Sequence, residues 1–302
     1  MTVLDRQKVS DQPEVSIVIP CYNEEEAIGR VIDDVRASMA NDPHTYEILV
    51  VDDCSTDRTA EIALSKGVTV LRRLINGGSG ASRKTGILKA RGGIVVMLDG
   101  DGTYTAADIP KLLCEFPEFD QVNGARTSEE GTLKVFRVPT KWFIRRLAIY
   151  LSGSHIPDLN TGLKAFKRDL MMKYLWVLPE GFSCVTTMTL AFLCNGHSVK
   201  WIPTAYHKRI GKSKFHPIKD TTRYLFTVVR MVMYFNPLKV FLPLGLFLMV
   251  FGSLLGLYHY SRPEPHGTLE QGDITIILVG FMTCVMGLLA DLIVAQGRAR
   301  NN

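Results

Sequence analysis

The stretch Val95-Val96-Met97-Leu98-Asp99-Gly100-Asp101-Gly102 is an apolar run that ends in two carboxylates one residue apart. Short apolar runs bounded by turn residues read as buried β-strands, and open α/β sheets place their ligand crevice at the strands' carboxyl ends. The run therefore predicts a strand that delivers Asp99 and Asp101 to that crevice. Hard divalent cations take oxygen ligands, and Mg²⁺ is usually held by one or two carboxylates together with substrate phosphates. Asp-x-Asp at a strand end suits a metal–diphosphate complex. The competing reading is a plain turn, because Asp and Gly are common turn residues.

The flanking sequence favours the crevice. Val15 to Pro20 is a β-branched strand, and Cys21-Tyr22-Asn23-Glu24-Glu25-Glu26 is a polar loop opening an amphipathic helix that runs to about Met39. A second strand, Tyr46 to Val51, ends in Asp52-Asp53-Cys54-Ser55-Thr56-Asp57, with Asp57 placed to cap a helix starting near Arg58. Gly67 to Leu71 reads as a third strand, and Asn76 to Gly80 leads into a helix carrying Arg83 and Lys84. Strands alternating with helices at this spacing predict βαβ units and a mostly parallel sheet, with acidic loops collected at one edge.

Ile17 to Glu25, Val50-Val51-Asp52-Asp53 with Ser55 and Asp57, and Leu98 to Tyr104 together resemble the inverting family 2 glycosyltransferases of GT-A fold. More narrowly, the chain from about Val15 onward is similar to polyprenyl-phosphate glycosyltransferases, the group of dolichyl-phosphate mannose synthases and undecaprenyl-phosphate sugar transferases. The fold class this implies is α/β, a Rossmann-like mostly parallel sheet flanked by helices, followed by interfacial helices and a two-helix transmembrane hairpin. The implied partners are a nucleotide-sugar donor, a polyprenyl phosphate acceptor and a membrane, with Mg²⁺ or Mn²⁺ as cofactor and no nucleic acid. By the same resemblance Pro20, Tyr22, Glu24 and Asp53 line the nucleoside pocket, with Gly78 and Lys84 on the donor side. Asp99 touches ribose and metal-bound water, and Asp101 ligates the metal on the diphosphate.

The chain's 302 residues accommodate one α/β domain and an appendage. Leu238 to Tyr260 and Ile274 to Gln296 are two nearly uncharged apolar segments of bilayer-spanning length, joined by the short polar link Ser261 to Asp273. The expected layout is a polar tail over 1–14, a catalytic domain over 15–215, a juxtamembrane helix over 216–237, the spans over 238–296 and a tail over 297–302. Lys208, Arg209, Lys212, Lys214, Lys219, Arg223, Arg230 and Lys239 precede the first span and Arg298 and Arg300 follow the second, against Arg262 alone in the link. The positive-inside rule then puts both ends in the cytoplasm, and Met1 to Glu14 has no hydrophobic signal core. The six cysteines show neither metal spacing nor a secreted framework and are expected as reduced thiols.

Between Gly131 and Ser152, Lys134, Arg137, Lys141, Arg145 and Arg146 interleave with aromatic and aliphatic residues, as in a helix lying at a membrane interface or a solvated helix with an apolar core face. Pro217 to Pro237 has the same character. Ile156 to Phe166 resembles the family's acceptor-side motif, and its Asp158 matches the position proposed as catalytic base; the alternative is an Asx turn after Pro157. A lipid phosphate is already largely ionised near neutral pH, so Asp158 is expected to orient as much as to remove a proton. Tyr206 to Lys214 gathers cations around Gly211 in a loop suited to phosphates or to lipid headgroups. The resemblance covers Arg209, Ser213 and Lys214 there, and Arg126, Arg137 and Lys141 as further acceptor-phosphate candidates, with Arg209 also catalytic. Where many relatives have a carboxylate in the helix opened by Glu180 to Leu190, this chain has threonines. Asp291, within the second span, should face protein or headgroups. Gly252, Gly256, Gly280 and Gly287 offer small faces for helix packing, and a homo-oligomer is expected. The acceptor alternative is a glycolipid or polysaccharide, and an inactive donor-binding membrane partner is the non-enzyme alternative.

Overall fold

The computed structural model describes residues 12–127, 153–181, 183–207, 233–261 and 270–301, with single positions 146, 149, 150, 209 and 230. Its strands are β1 (Val15–Cys21), β2 (Tyr46–Asp52), β3 (Thr69–Arg72), β4 (Ile94–Met97), β5 (Gln121–Arg126), β6 (Lys164–Lys167) and β7 (Val199–Thr204). They form one sheet in the order β3-β2-β1-β4-β6-β5-β7. β1 pairs in parallel with β2 and β4, β2 with β3, and β5 with β7. β6 runs against both β4 and β5. The expected mostly parallel sheet is therefore present, with one reversed strand that the βαβ spacing could not reveal. That reversal brings the start of β6, Lys164 opposite Met97, to the carboxyl end of β4.

Helices cover both faces. Alternate β1 residues Val15, Ile17 and Ile19 pack in one core with α1 (Ile28–Met39) and with Ile109 and Leu112 of α4 (Ile109–Leu113). Val18, Met97 and Phe166 pack in the other with Ile87 of α3 (Ser79–Lys89), Met171 of α5 (Arg168–Tyr174) and Met188 of α6 (Cys184–Cys194). Both faces of β1 are covered, which is why its sequence is a continuous apolar run rather than an alternating one. α1 buries Ile28, Val31, Ile32, Val35 and Met39 at helical spacing, each worth roughly 1.5–3 kcal/mol when fully buried. α2 (Thr59–Ser65) begins one residue later than expected. Its N-cap position is Arg58, without a side-chain cap bond, rather than the expected Asp57, which one residue earlier closes a local turn by accepting the Thr59 N–H at 3.0 Å and the Thr59 hydroxyl at 2.5 Å.

The chain divides into two compact units, Met1–Thr227 and Val228–Asn302. The second holds α7 (Leu238–Tyr260) and α8 (Gln271–Asn301), whose stretches Leu238–Tyr260 and Gln271–Gly297 are long and apolar enough to cross a membrane. The glycines pack these two helices against each other. A Cβ on Gly245 would meet the Gly280 carbonyl at 2.7 Å, and one on Gly287 would meet Phe241 at 2.6 Å. Asp273 belongs to the first turn of α8 rather than to the link, and it ties the hairpin's tip by accepting from His259 Nδ1 at 2.9 Å. Asp291 is half-buried.

Candidate active site

The loops after β1, β2 and β4 meet at one sheet edge and lace together through side chains. Asn23 and Cys54 sit in the left-handed region, with φ of 51° and 64°, which Asn tolerates better than most residues. Asn23 N–H donates to Ser55 Oγ at 2.9 Å, Asn23 Oδ1 accepts the Thr56 N–H at 2.9 Å, and Glu24 N–H donates to Thr59 Oγ1 at 2.8 Å. Asp53, buried, accepts from Arg73 at 2.5 Å and from the Gly77 and Gly78 N–H groups at 3.1 and 2.7 Å. It thereby fixes the glycine loop that starts α3. The next glycine allows close approach of backbones: Gly80 N–H donates to the Glu180 carbonyl at 2.7 Å, and a Cβ there would come within 2.2 Å of the Pro179 carbonyl. Pro20 is buried on β1, while Tyr22 and Lys84 are half-buried.

Asp99 and Asp101 follow β4 as expected. Arg83, buried on α3, donates to Asp99 Oδ1. Burial pushes the Asp99 carboxyl up from its usual range, against the pull of Arg83 and with the help of Asp101. Asp101 Oδ1 accepts the Thr103 N–H at 3.1 Å and the Thr103 hydroxyl at 2.6 Å. Its other oxygen lies 3.5 Å from Arg209, whose guanidinium also donates to Glu24 Oε1. Arg209 thus spans the ends of β1 and β4. Among the described residues no group of three or more His, Cys, Asp or Glu is arranged to hold a metal. Two carboxylates completed by substrate phosphates are the usual oxygen set for Mg²⁺. Asp99 and Asp101 fit such a cation, and the guanidinium against Asp101 already marks the place as one that receives positive charge.

On the other side of the edge, Asp158 is gripped by Arg126 of β5 in a two-point pair, Nε to Oδ2 at 2.6 Å and NH2 to Oδ1 at 2.9 Å. Asn160 N–H adds a bond to Oδ1 at 3.1 Å, and Trp201 Nε1 donates to the Asp158 carbonyl at 3.0 Å. Burial alone would raise the Asp158 carboxyl, but the Arg126 hydrogen bonds and charge, with the backbone donors, pull it below the usual carboxylate range. A carboxylate so placed is a weak proton acceptor and a strong anchor for Arg126. The Arg126 guanidinium also lies over the Tyr206 ring, 5.2 Å from its centroid. Tyr206 packs edge-on against Tyr104, whose hydroxyl accepts the Gly162 N–H at 2.8 Å.

Glu24, Asp53, Asp99, Asp101, Arg209, Arg126 and Asp158 therefore gather at one edge through two groups of contacts. Arg137, Lys141, Ser213 and Lys214, and most of the basic stretch 131–152, lie outside the described residues. Sequence reading missed three side chains. Arg83, not its neighbour Lys84, reaches Asp99, and Ile87 four residues on marks Arg83's face of α3 as the buried one. Arg73 holds Asp53, and Lys164 is enclosed in the sheet; neither carries a local signal beyond its charge.

Comparison with known proteins points to one family. The Glycosyl transferase family 2 profile matches residues 16–175, and that of the GtrB C-terminal hairpin matches residues 236–295. Glycosyltransferase AglJ of Haloferax volcanii is 30% identical over 293 residues, covering 94% of this chain and 95% of the relative. The dodecaprenyl-phosphate galacturonate synthase of Rhizobium johnstonii is 27% identical, covering 93% of this chain and 87% of its own. Among solved structures, glucosyl-3-phosphoglycerate synthase of Mycobacterium tuberculosis, in complex with Mn²⁺, UDP and glucosyl-3-phosphoglycerate, superposes with a TM-score of 0.57 at 18% identity, over 76% of this chain and 84% of that one. The likeness to that structure is one of fold.

Proposed function

Because this chain belongs to glycosyl transferase family 2, we propose that it moves one sugar from a nucleotide-sugar to a polyprenyl phosphate, with inversion, at the cytoplasmic face of a membrane. The observation that carries this reading is the sheet edge itself: a metal-type carboxylate pair, Asp99 and Asp101, shares it with the guanidinium groups of Arg83, Arg126 and Arg209. An edge so built suits two phosphorylated substrates. The same chain carries two span-length apolar helices, which suit an enzyme with a lipid acceptor, and relatives include polyprenyl-phosphate sugar synthases.

Pro20, Tyr22 and Glu24 line the nucleoside pocket with Asp53. A carboxylate offers about four lone-pair positions, and Arg73, Gly77 and Gly78 occupy three on Asp53; the fourth is free for a base N–H. A divalent cation bound by Asp99 and Asp101 with the donor diphosphate, Mg²⁺ or Mn²⁺, would supply charge neutralisation of the leaving group. Arg209 exchanges its pairing with Glu24 and Asp101 for a substrate phosphate. Arg126, held flat by Asp158, receives the acceptor phosphate with Arg137, Lys141, Ser213 and Lys214. Gly78 and Lys84 border the donor.

An acceptor phosphate oxygen attacks the anomeric carbon, and the bond to the donor's diphosphate oxygen breaks with its electron pair leaving on the nucleoside diphosphate. The acceptor phosphate loses its last proton near pH 6, so no strong base is needed and Asp158 serves as an anchor. Basic residues flanking the hairpin orient both ends to the cytoplasm. UDP is preferred to GDP, and the enzyme is a homo-oligomer. Purified chain in detergent with Mn²⁺, undecaprenyl phosphate and a panel of UDP- and GDP-sugars tests the reading. Nucleoside diphosphate release that depends on the lipid is expected from a UDP-sugar; release that ignores the lipid would refute the acceptor.

A further inference from the structure

Lys164 is fully enclosed, with 0% of its surface exposed. Burying an ammonium is costly unless it is paired with an opposite charge. Among the described residues its Nζ donates to two neutral acceptors of α6, the Val185 carbonyl at 2.7 Å and the Thr189 hydroxyl at 3.0 Å. Along α6 the residues Thr186, Thr187 and Thr189 are all buried, so that helix offers the ammonium hydroxyls and no carboxylate. Thr189 also accepts from Gln121 Nε2 at 3.2 Å, and Gln121 Nε2 donates to Asn123 Oδ1 at 2.7 Å. Among the described residues the buried Gln121 Oε1 and Asn123 Nδ2 atoms beside this network have no partner.

The enclosure adjoins the metal-type aspartates. Lys164 stands opposite Met97, two residues before Asp99. Gly162, two residues before Lys164, is so close to Asp99 that a Cβ on it would come 2.1 Å from Oδ2. Arg83 from α3, Cys184 from α6, Asp158 from the loop ahead of β6 and Asp99 from the end of β4 are the charged and titratable groups that act on the ammonium. From β5 the neutral Gln121 and Asn123 join this network, while Arg126 at its end is paired with Asp158. Arg83 already pairs with Asp99. Asp158 is itself paired with Arg126, which leaves Asp99, among the described residues, to be shared by the two buried cations.

We propose that Lys164 is a positioning residue of the donor site: anchored by Val185 and Thr189, its ammonium joins Arg83 as a positive floor beside Asp99, and the donor's diphosphate completes the counter-charge. This deepens the function proposed above and rests on it. Burial, and after it the charge of Arg83, push the ammonium down to about 7. Near neutral pH the unliganded site is then close to half-protonated, and an arriving anion draws a proton onto Lys164. Nucleotide binding is tightest where Lys164 is protonated and weakens as pH rises past about 7, by up to about tenfold per pH unit.

The test is the affinity of full-length protein for UDP with Mn²⁺, by titration calorimetry from pH 7 to 8.5. That range lies above the last phosphate ionisation of UDP, at about pH 6. Wild type loses affinity several-fold across it. Lys164→Met binds weakly and evenly throughout, whereas Lys164→Arg, whose guanidinium stays charged, binds tightly and evenly. Thr189→Val removes one anchor at nearly constant volume and shifts the wild-type decline to lower pH; this variant and Lys164→Arg decide the matter if Lys164→Met does not fold. Parallel profiles for wild type and the Lys164 variants overturn the assignment. Absence of UDP binding by wild type overturns the preference for a UDP donor and, if GDP also fails to bind, the nucleotide-sugar reading and this assignment with it.

Discussion

The two sides of the sheet edge hold their carboxylates by different means. On the donor side backbone turns contribute much of the grip: Asp101 accepts from Thr103 two residues on, and Asp53 accepts from Gly77 and Gly78. On the acceptor side Asp158 is held mainly by the Arg126 side chain, 32 residues away in sequence. Turn-held carboxylates keep free lone pairs and are available to a cation or a nucleobase. Asp158, both of whose oxygens accept from the Arg126 guanidinium, has spent its charge and serves to aim that guanidinium, whereas Asp53 and Asp99 each meet a guanidinium through one oxygen only. The chain thus places cation-type ligands on one side and phosphate-type ligands on the other.

The largest effect should come from Asp101→Ala. Loss of a group that stabilises charge only in the transition state costs on the order of 10³-fold in rate, so turnover should fall by about that factor in a protein that still melts cooperatively. Retention of activity would remove Asp101 from the donor side of the comparison. Asp158→Asn comes next, with kcat/KM for the lipid phosphate down by about 10²-fold and the loss concentrated in KM. Its carboxyl lies below the usual range, so it stays ionised down through mildly acidic pH, and its stabilising pairing is lost only as pH falls through that lowered value. The pH–rate profile of Asp158→Asn from pH 6 to 9 should accordingly parallel that of wild type. Disappearance of a limb in that range would make Asp158 a base and erase the contrast.

Smaller changes sharpen it. Asp53→Asn leaves Arg73 without its carboxylate partner and should raise the donor KM about tenfold, consistent with loss of one charged hydrogen bond, without affecting the lipid KM. Trp201→Phe removes the bond to the Asp158 carbonyl and should cost about 1 kcal/mol of stability, seen as a small drop in melting temperature with turnover changed only a few-fold.

The same contrast explains what could be read in advance. β1, β2 and β4 announce themselves as apolar runs, and the carboxylates at their ends are placed by local turns, as in Asp57 with Thr59 and Asp101 with Thr103. The reversed strand β6 and the pairing of Arg126 with Asp158 depend on contacts distant in sequence. Periodicity carries no record of such contacts. Lys164 stands within a stretch singled out for its chemistry, but its enclosure comes from α6, which arrives twenty residues later in the chain. The hairpin glycines were legible as packing faces, and Gly252, Gly280 and Gly287 pack within the hairpin, against Ile277, Gly245 and Phe241; these contacts lend no support to a homo-oligomer.

The most direct measurement is the structure of the product made by full-length protein from a UDP-sugar, Mn²⁺ and undecaprenyl phosphate, by mass spectrometry and the anomeric coupling in NMR. A lipid phosphodiester of a single sugar, β-linked from an α-linked donor, is the predicted result. Free sugar, a lipid product with retained configuration, or a sugar attached to lipid through anything other than phosphate would contradict it.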